Sequence, residues 1–145
     1  MRYSIKMAVF LALFASAAWA ASPLPTVTVY KSPSCGCCGK WVAHMKANGF
    51  PVVTHDTDDV ASHKARLGVP LTMGSCHTAE VGGYLVEGHV PAADIKGLLT
   101  EKPRAKGLVL PGMPQSAPGM DSARKIPYDV LLVGSDGRTS IYARH

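Results

Sequence analysis

The amino-acid sequence predicts a small α/β domain with a loop and hairpin added at its C-terminal end. Three observations carry that expectation. A β-branched run leads directly into a cysteine-rich helix start, strand and helix signals then alternate as far as Leu99, and the composition turns to proline, glycine and methionine beyond Pro103. Thr26–Tyr30 (TVTVY) reads as the first strand and Lys31–Ser34 as a turn. Lys40–Asn48 reads as a helix with Trp41, Val42 and Met45 on its apolar stripe and Gly49 as its stop. Pro51–His55 is a second strand, and a helix capped by Asp58 or Asp59 runs to Leu67, closed by Gly68. Val81–Val86 (VGGYLV) reads as a strand, and Pro91 opens a last helix over Ala92–Leu99. The whole order, β-α-β-α-β-β-α, is a thioredoxin-like succession. Pro70, before the third strand, is either a plain loop proline or, as its position in such a fold would suit, a cis-proline facing the cysteine motif. Leu110–Met120 (LPGMPQSAPGM) suits neither helix nor central strand. Tyr128–Val133 and Thr139–Ala143 flank Gly134-Ser135-Asp136-Gly137, a hairpin signal.

Length and charge limit the function classes. One domain fits in 145 residues, and 47% hydrophobic with 17% charged residues excludes a disordered tail. The formal charge of +5 is partly an effect of the N-terminus. Arg2 and Lys6 precede an apolar run from Met7 to Ala18, and Ala18-Trp19-Ala20 is a cleavage site of A-x-A type. This is the pattern of an export signal, shorter in its apolar core than the ~20 residues of a membrane span. Its removal before Ala21 leaves 13 basic and 10 acidic side chains, a net of +3. Lys102, Arg104 and Lys106 are the tightest basic cluster and lack stacking aromatics, so nucleic acid is not an expected partner, nor is a membrane after cleavage. The expected division is a signal over 1–20, a metal-binding α/β unit over 21–103, and a loop and hairpin over 104–145 packed on the same domain. Export makes a periplasmic, disulfide-permissive location the simplest expectation.

The chemistry lies in Cys35-Gly36-Cys37-Cys38 and in Cys76. Cys35 and Cys38 have the spacing of a redox pair at a helix start, where the helix dipole favours thiolate. A redox pair needs two sulfurs, and Cys37 is a third; a thiolate cluster for a soft metal uses three or more. His77 adjoins Cys76, His89 follows a Glu-Gly turn, and His44 lies seven residues after Cys37, so a continuous helix aims both nearly the same way. Met113 and Met120 offer thioethers from the Pro/Gly loop. Thiolate, imidazole and thioether together favour Cu(I), with zinc as the alternative. Each element also has a plainer reading. The cysteines can be disulfides only, His44 a surface residue, and Met113 and Met120 plugs on the core. His55 and His63 are expected at surface positions, His145 to be mobile at the terminus, Met45 in the core, and Met73 either in the core or at the site.

Three segments, CGCCGKW at 35–41, SCHTAEVGGYLVEGHVP at 75–91 and GLVLPGMPQSAPGM at 107–120, resemble the exported CopG-like copper-resistance proteins, formerly a domain of unknown function. The resemblance covers almost the whole chain from Thr26 onward; Ala117 stands where a glycine is expected. It implies a thioredoxin-like fold that binds copper and interconverts Cu(I) and Cu(II). Cys35, Cys37, Cys38 and Cys76 would be the thiolate set, His44, His77 and His89 candidate imidazole ligands, and Met113 and Met120 thioether ligands or lids. Copper ions and other periplasmic copper-handling proteins are the implied partners, and a copper oxidoreductase activity is an open extension. Two readings stand beside it: a thiol–disulfide oxidoreductase using Cys35 and Cys38, and a structural zinc module.

Overall fold

A computed structural model describes residues 22–145; the export signal expected over 1–20 lies outside the described residues. The described chain forms one seven-stranded mixed sheet with three α-helices. The elements are β1 (Val27–Lys31), α1 (Gly36–Ala47), β2 (Val52–Asp56), α2 (Val60–Leu67), β3 (Thr78–Val81), β4 (Tyr84–Glu87), α3 (Ala92–Glu101), β5 (Ala105–Val109), β6 (Asp129–Gly134) and β7 (Thr139–Arg144). A single 3₁₀ turn, Leu71–Met73, precedes β3. The predicted succession β-α-β-α-β-β-α is observed through α3, although the one segment read as a strand before α3 is divided between β3 and β4. No helix among the described residues is long and apolar enough to cross a membrane.

Sheet order is β2-β1-β3-β4-β5-β6-β7. The β1–β2 and β4–β5 pairs are parallel, joined by α1 and α3 as crossovers; the other neighbours are antiparallel. Side-chain alternation divides the sheet into two faces. Val29, Ala79, Val86 and Leu108 bury one face against Trp41 and Met45 of α1 and Ile95 and Leu98 of α3, forming the main core. Their strand neighbours Leu85 and Val109 point the other way, to a smaller cluster with Leu67 and Met73. Helix α2 lies on that second face and buries no residue completely.

Local chemistry explains most boundaries. The Asp59 side chain accepts the Ser62 N–H at 3.1 Å, and Gly68 ends α2 in the left-handed region. Helix α1 starts at Gly36, ahead of the Lys40–Asn48 pattern, with Cys35 as its N-cap and Cys37 and Cys38 in its first turn, which agrees with the motif's reading as a helix start. VGGYLV is two strands rather than one. Gly82 and Gly83, with φ of 55° and 84°, make the tight turn between β3 and β4. Strand β5 was not expected. Gly107 weakens its strand signal, but a Cβ there would lie 1.9 Å from the Leu85 carbonyl oxygen, so close strand approach demands glycine. Pro70 is trans: no cis peptide bond occurs among the described residues.

Candidate metal centre

The first half of the site is built by the start of α1. Ser32 accepts the Cys35 N–H through its carbonyl at 3.1 Å, closing the turn after β1. Cys35 is the N-cap residue, and the first turn of α1 carries no acidic side chain, so the positive end of the helix is left for the sulfurs. Cys35 and Cys38 form a disulfide; Cys37 and Cys76 are free thiols. The Cys37 sulfur lies 3.7 Å from that of Cys35. Cys38 is fully buried, the other three partly.

The second half comes from the loop before β3 and the turn after β4. The four sulfurs of Cys35, Cys37, Cys38 and Cys76 lie within 4.8 Å of one another, and so do the ligand atoms of Cys76, His77 and His89. Cys76 is the shared corner. Its sulfur is 3.1 Å from His89 Nε2 and 3.4 Å from His77 Nδ1. Both imidazoles are completely enclosed. The His77 ring sits 4.5 Å from Trp41 and edge-on to His89 at 5.0 Å. Trp41 is itself fixed by donating Nε1–H to the Val90 carbonyl at 2.8 Å.

Burial sets the protonation states. It pushes the Cys76 thiol up to about 11, with the neighbouring Cys37 adding to the effect. It holds His77 well below the ordinary imidazole range, helped by His89, Lys64 and Lys31, and it lowers His89 as well. His89 Nδ1 lies 2.7 Å from the Pro118 carbonyl, an acceptor only, so Nδ1 carries the proton and Nε2 presents its lone pair toward Cys76. Neutral imidazoles beside sulfurs of limited exposure are the donor set that a soft cation recruits, and such a cation supplies the charge that the Cys76 thiolate lacks. His77 Nε2 is a buried nitrogen with no hydrogen-bond partner. The residues therefore fit a soft metal ion.

The Pro/Gly/Met segment forms a strap over this centre. A Cβ on Gly119, whose φ is 86°, would meet Trp41 N at 2.8 Å, Cys37 O at 3.0 Å and His89 Nδ1 at 3.2 Å. The Ser75 hydroxyl donates to the Gly112 carbonyl, and the Gly112 N–H reaches the Gly74 carbonyl at 3.1 Å. Ala117 is buried in the main core, so its methyl group is a packing element as well as a loop residue.

The remaining candidates are placed as follows. His44 stands apart: its Nε2 accepts the Ala92 N–H at 3.1 Å, capping α3, and neither convergent group includes it. Burial lowers its pKa too. Met120 packs against the main core, and Met113 is 45% exposed. Met45 is core as expected, and Met73 joins the smaller cluster. His145, expected to be mobile, is anchored. Its backbone pairs with Tyr128 through bonds of 3.0 and 3.1 Å, and its Nε2 lies 2.8 Å from Asp94 Oδ2. Sequence reasoning missed the Pro118 carbonyl, the Trp41 ring and the Lys64–Glu87 pair; the one available signal was Glu87, a charge ending an apolar strand.

The fold and site together define a mixed α/β protein with a cysteine–histidine cluster whose ligand atoms converge closely enough to hold a metal ion. The chain belongs to the family of the copper resistance protein copG. Two solved structures of that protein, Form 2 and Form 1, match it with 43% and 44% identity and a TM-score of 0.80, covering 84% and 85% of this chain and 98% of theirs. Residues 73–120, which hold Cys76, His77, His89 and the strap, match a family described as a protein of unknown function, DUF411. No curated protein sequence matches the chain.

Proposed function

We propose that this is an exported copper-binding protein of copper resistance, holding Cu(I) through Cys35, Cys37, Cys38 and Cys76 with His77 and His89 beside them. The carrying observation is the convergence of four sulfurs and two neutral imidazoles on Cys76. The copper assignment rests on that soft donor set and on the relatives, whose name is copper resistance protein. Within this reading the elements through α3 are a thioredoxin-like unit, and the following loop and hairpin an extension of the same domain. Met113 and Met120 serve as thioether donors on the strap, and His44 is left out because Ala92 occupies its Nε2. The thiolates suit Cu(I) and the imidazoles admit Cu(II), so interconversion of the two states is the proposed chemistry. The location is the periplasm, with removal of the segment expected to be the export signal.

The Cys35–Cys38 disulfide must accept two electrons before those sulfurs can bind metal. The test is a competition titration of fully reduced protein, residues 21–145, with Cu(I) against a chelator. The expected result is binding at least ~100-fold tighter than in the Cys37→Ser/Cys76→Ser variant. Equal affinities reject the reading.

The disulfide at a helix start favours one second reading, a thiol–disulfide oxidoreductase. Insulin reduction by metal-free protein at a rate comparable with thioredoxin would support it. Zinc at one equivalent without copper, after purification from metal-replete cells, would instead point to a structural zinc module.

A further inference from the structure

One ion pair, a buried carboxylate and a partly exposed lysine, takes no part in the donor set, yet it grips the loop that carries the shared corner. Glu87 ends β4, is completely buried, and pairs with Lys64 of α2. Its Oε1 also accepts the Ser75 N–H at 2.6 Å. Lys64 in turn donates to the Ser75 carbonyl at 2.9 Å. The two charges thus hold both backbone polar groups of one residue, and the Ser75 hydroxyl is held by Gly112 of the strap. The seat is tight, since a Cβ on Gly88 would come within 2.7 Å of the Ser75 side chain. On the far side of Cys76, the His77 carbonyl accepts the Gly88 N–H at 3.0 Å. Cys76 therefore sits between two clamped neighbours.

We propose that the Lys64–Glu87 pair is a positioning device for the fourth sulfur: by clamping Ser75 it presents Cys76 to the Cys35–Cys38 turn. The inference rests on the metal-centre reading of the same site. Buried ion pairs repay their desolvation poorly, and an apolar pair of similar volume often serves stability as well. What an apolar pair cannot do is hold one N–H and one C=O of the same residue at once. Glu87 Oε2 has no partner, so the carboxylate is aimed by this arrangement rather than by its own full satisfaction.

The test contains no copper, so it fails separately from the copper reading. Metal-free protein with the Cys35–Cys38 disulfide intact presents two thiols, Cys37 and Cys76. Diamide takes two electrons and two protons from them, leaving a Cys37–Cys76 disulfide that peptide mass spectrometry reads as a rate. Lys64→Met and Glu87→Met should each slow that rate at least ~10-fold at a temperature where circular dichroism shows them folded. Lys64→Arg, which keeps charge and donors, should restore it to within ~3-fold of the native rate. Ile95→Ala, a cavity in the main core, is the control for lost stability alone and should cross-link at the native rate. If Glu87→Met does not fold, Lys64→Met decides. Native-rate cross-linking by folded Lys64→Met, or equal slowing by Ile95→Ala, overturns the proposal.

Discussion

The molecule holds two pairs of histidines, each against an aromatic ring, and they differ in nearly everything that matters for metal chemistry. His77 and His89 lie on the main-core face, enclosed, with Trp41 behind them and the Cys76 sulfur in front. His55 and His63 lie on the other face, stacked at 5.3 and 3.9 Å on Tyr30. There the phenol donates to Glu80 at 3.0 Å and the Arg66 guanidinium covers the ring at 5.3 Å. His55 is exposed on the edge strand β2, and neither histidine belongs to a convergent cysteine–histidine group among the described residues. Residue type alone thus means little; enclosure and a convergent soft neighbour set His77 and His89 apart from the two stacked rings.

Exchanging the two pairs one residue at a time gives the largest contrast. His89→Ala should weaken Cu(I) binding by ~10–100-fold, because it removes a donor together with the Pro118 tether. His63→Ala should change it less than ~2-fold. Competition titration of the two variants side by side measures this, and equal losses would erase the distinction drawn between the pairs.

The strap sharpens the same contrast, since it covers only the first pair. Gly119→Ala forces a methyl group against Trp41 N and Cys37 O at a positive φ and should cost about 2–4 kcal/mol. Gly112→Ala, at φ 68° with open space around it, should cost only about 1–2 kcal/mol. Urea unfolding of both variants gives the difference. Comparable losses would mean that backbone conformation, rather than closure over the site, sets the glycine requirement.

How much of this was legible follows from the same physics. The cysteine turn could be read because its signal is local: strand, turn and helix start adjoin in sequence. His77 and His89 could be nominated because each stands near Cys76 or a turn. The sequence left His44 open between ligand and surface residue, and its seat on Ala92 could not be foreseen. Seven residues after Cys37 puts it on the right side of α1, but the free N–H of Ala92 captures its nitrogen, and that contact spans 48 positions. Strand β5 was hidden because the residue that permits its close pairing, Gly107, is the one that spoils its pattern. The anchoring of His145 depends on Asp94, 51 positions away. The fold was thus readable where contacts are short-range and opaque where one distant partner decides.

Burial also gives the enclosed pair, and His44 with it, a pH dependence of stability. His77, His89 and His44 all have pKa values below the ordinary 6.5 in the folded protein, so the unfolded chain binds more protons as pH falls through that value. Their contribution to stability is full above about 6.5 and is lost with acid. Cys76 works in the opposite sense. Its folded pKa of about 11 lies above its ordinary 9.0, so its contribution is full below about 9 and is lost as pH rises toward 11. Metal-free protein should therefore be most stable between about pH 6.5 and 9, with an acid limb that shrinks in His89→Ala. Denaturant midpoints across pH 4–11 check this. A flat acid limb would show that the enclosed imidazoles titrate as freely in the folded state as in the unfolded chain.

The smallest effect concerns how the strap is held from outside. Lys40 of α1 pairs with Asp121, just beyond Met120, and both side chains are more than half exposed. Water and salt screen such a pair, so Lys40→Ala should cost about 0.5 kcal/mol or less in dilute buffer and nothing measurable near 0.5 M salt. The strap's hydrogen bonds are of another kind: His89 to Pro118 is part-buried and Ser75 to Gly112 is exposed, but both join uncharged groups, so salt has little hold on them. Chemical denaturation at two ionic strengths distinguishes the two modes of attachment. A loss above ~1 kcal/mol that vanishes with salt would mean that the strap is latched at its surface. The centre could then be opened by ionic strength alone, and enclosure would no longer set His77 and His89 apart from His55 and His63.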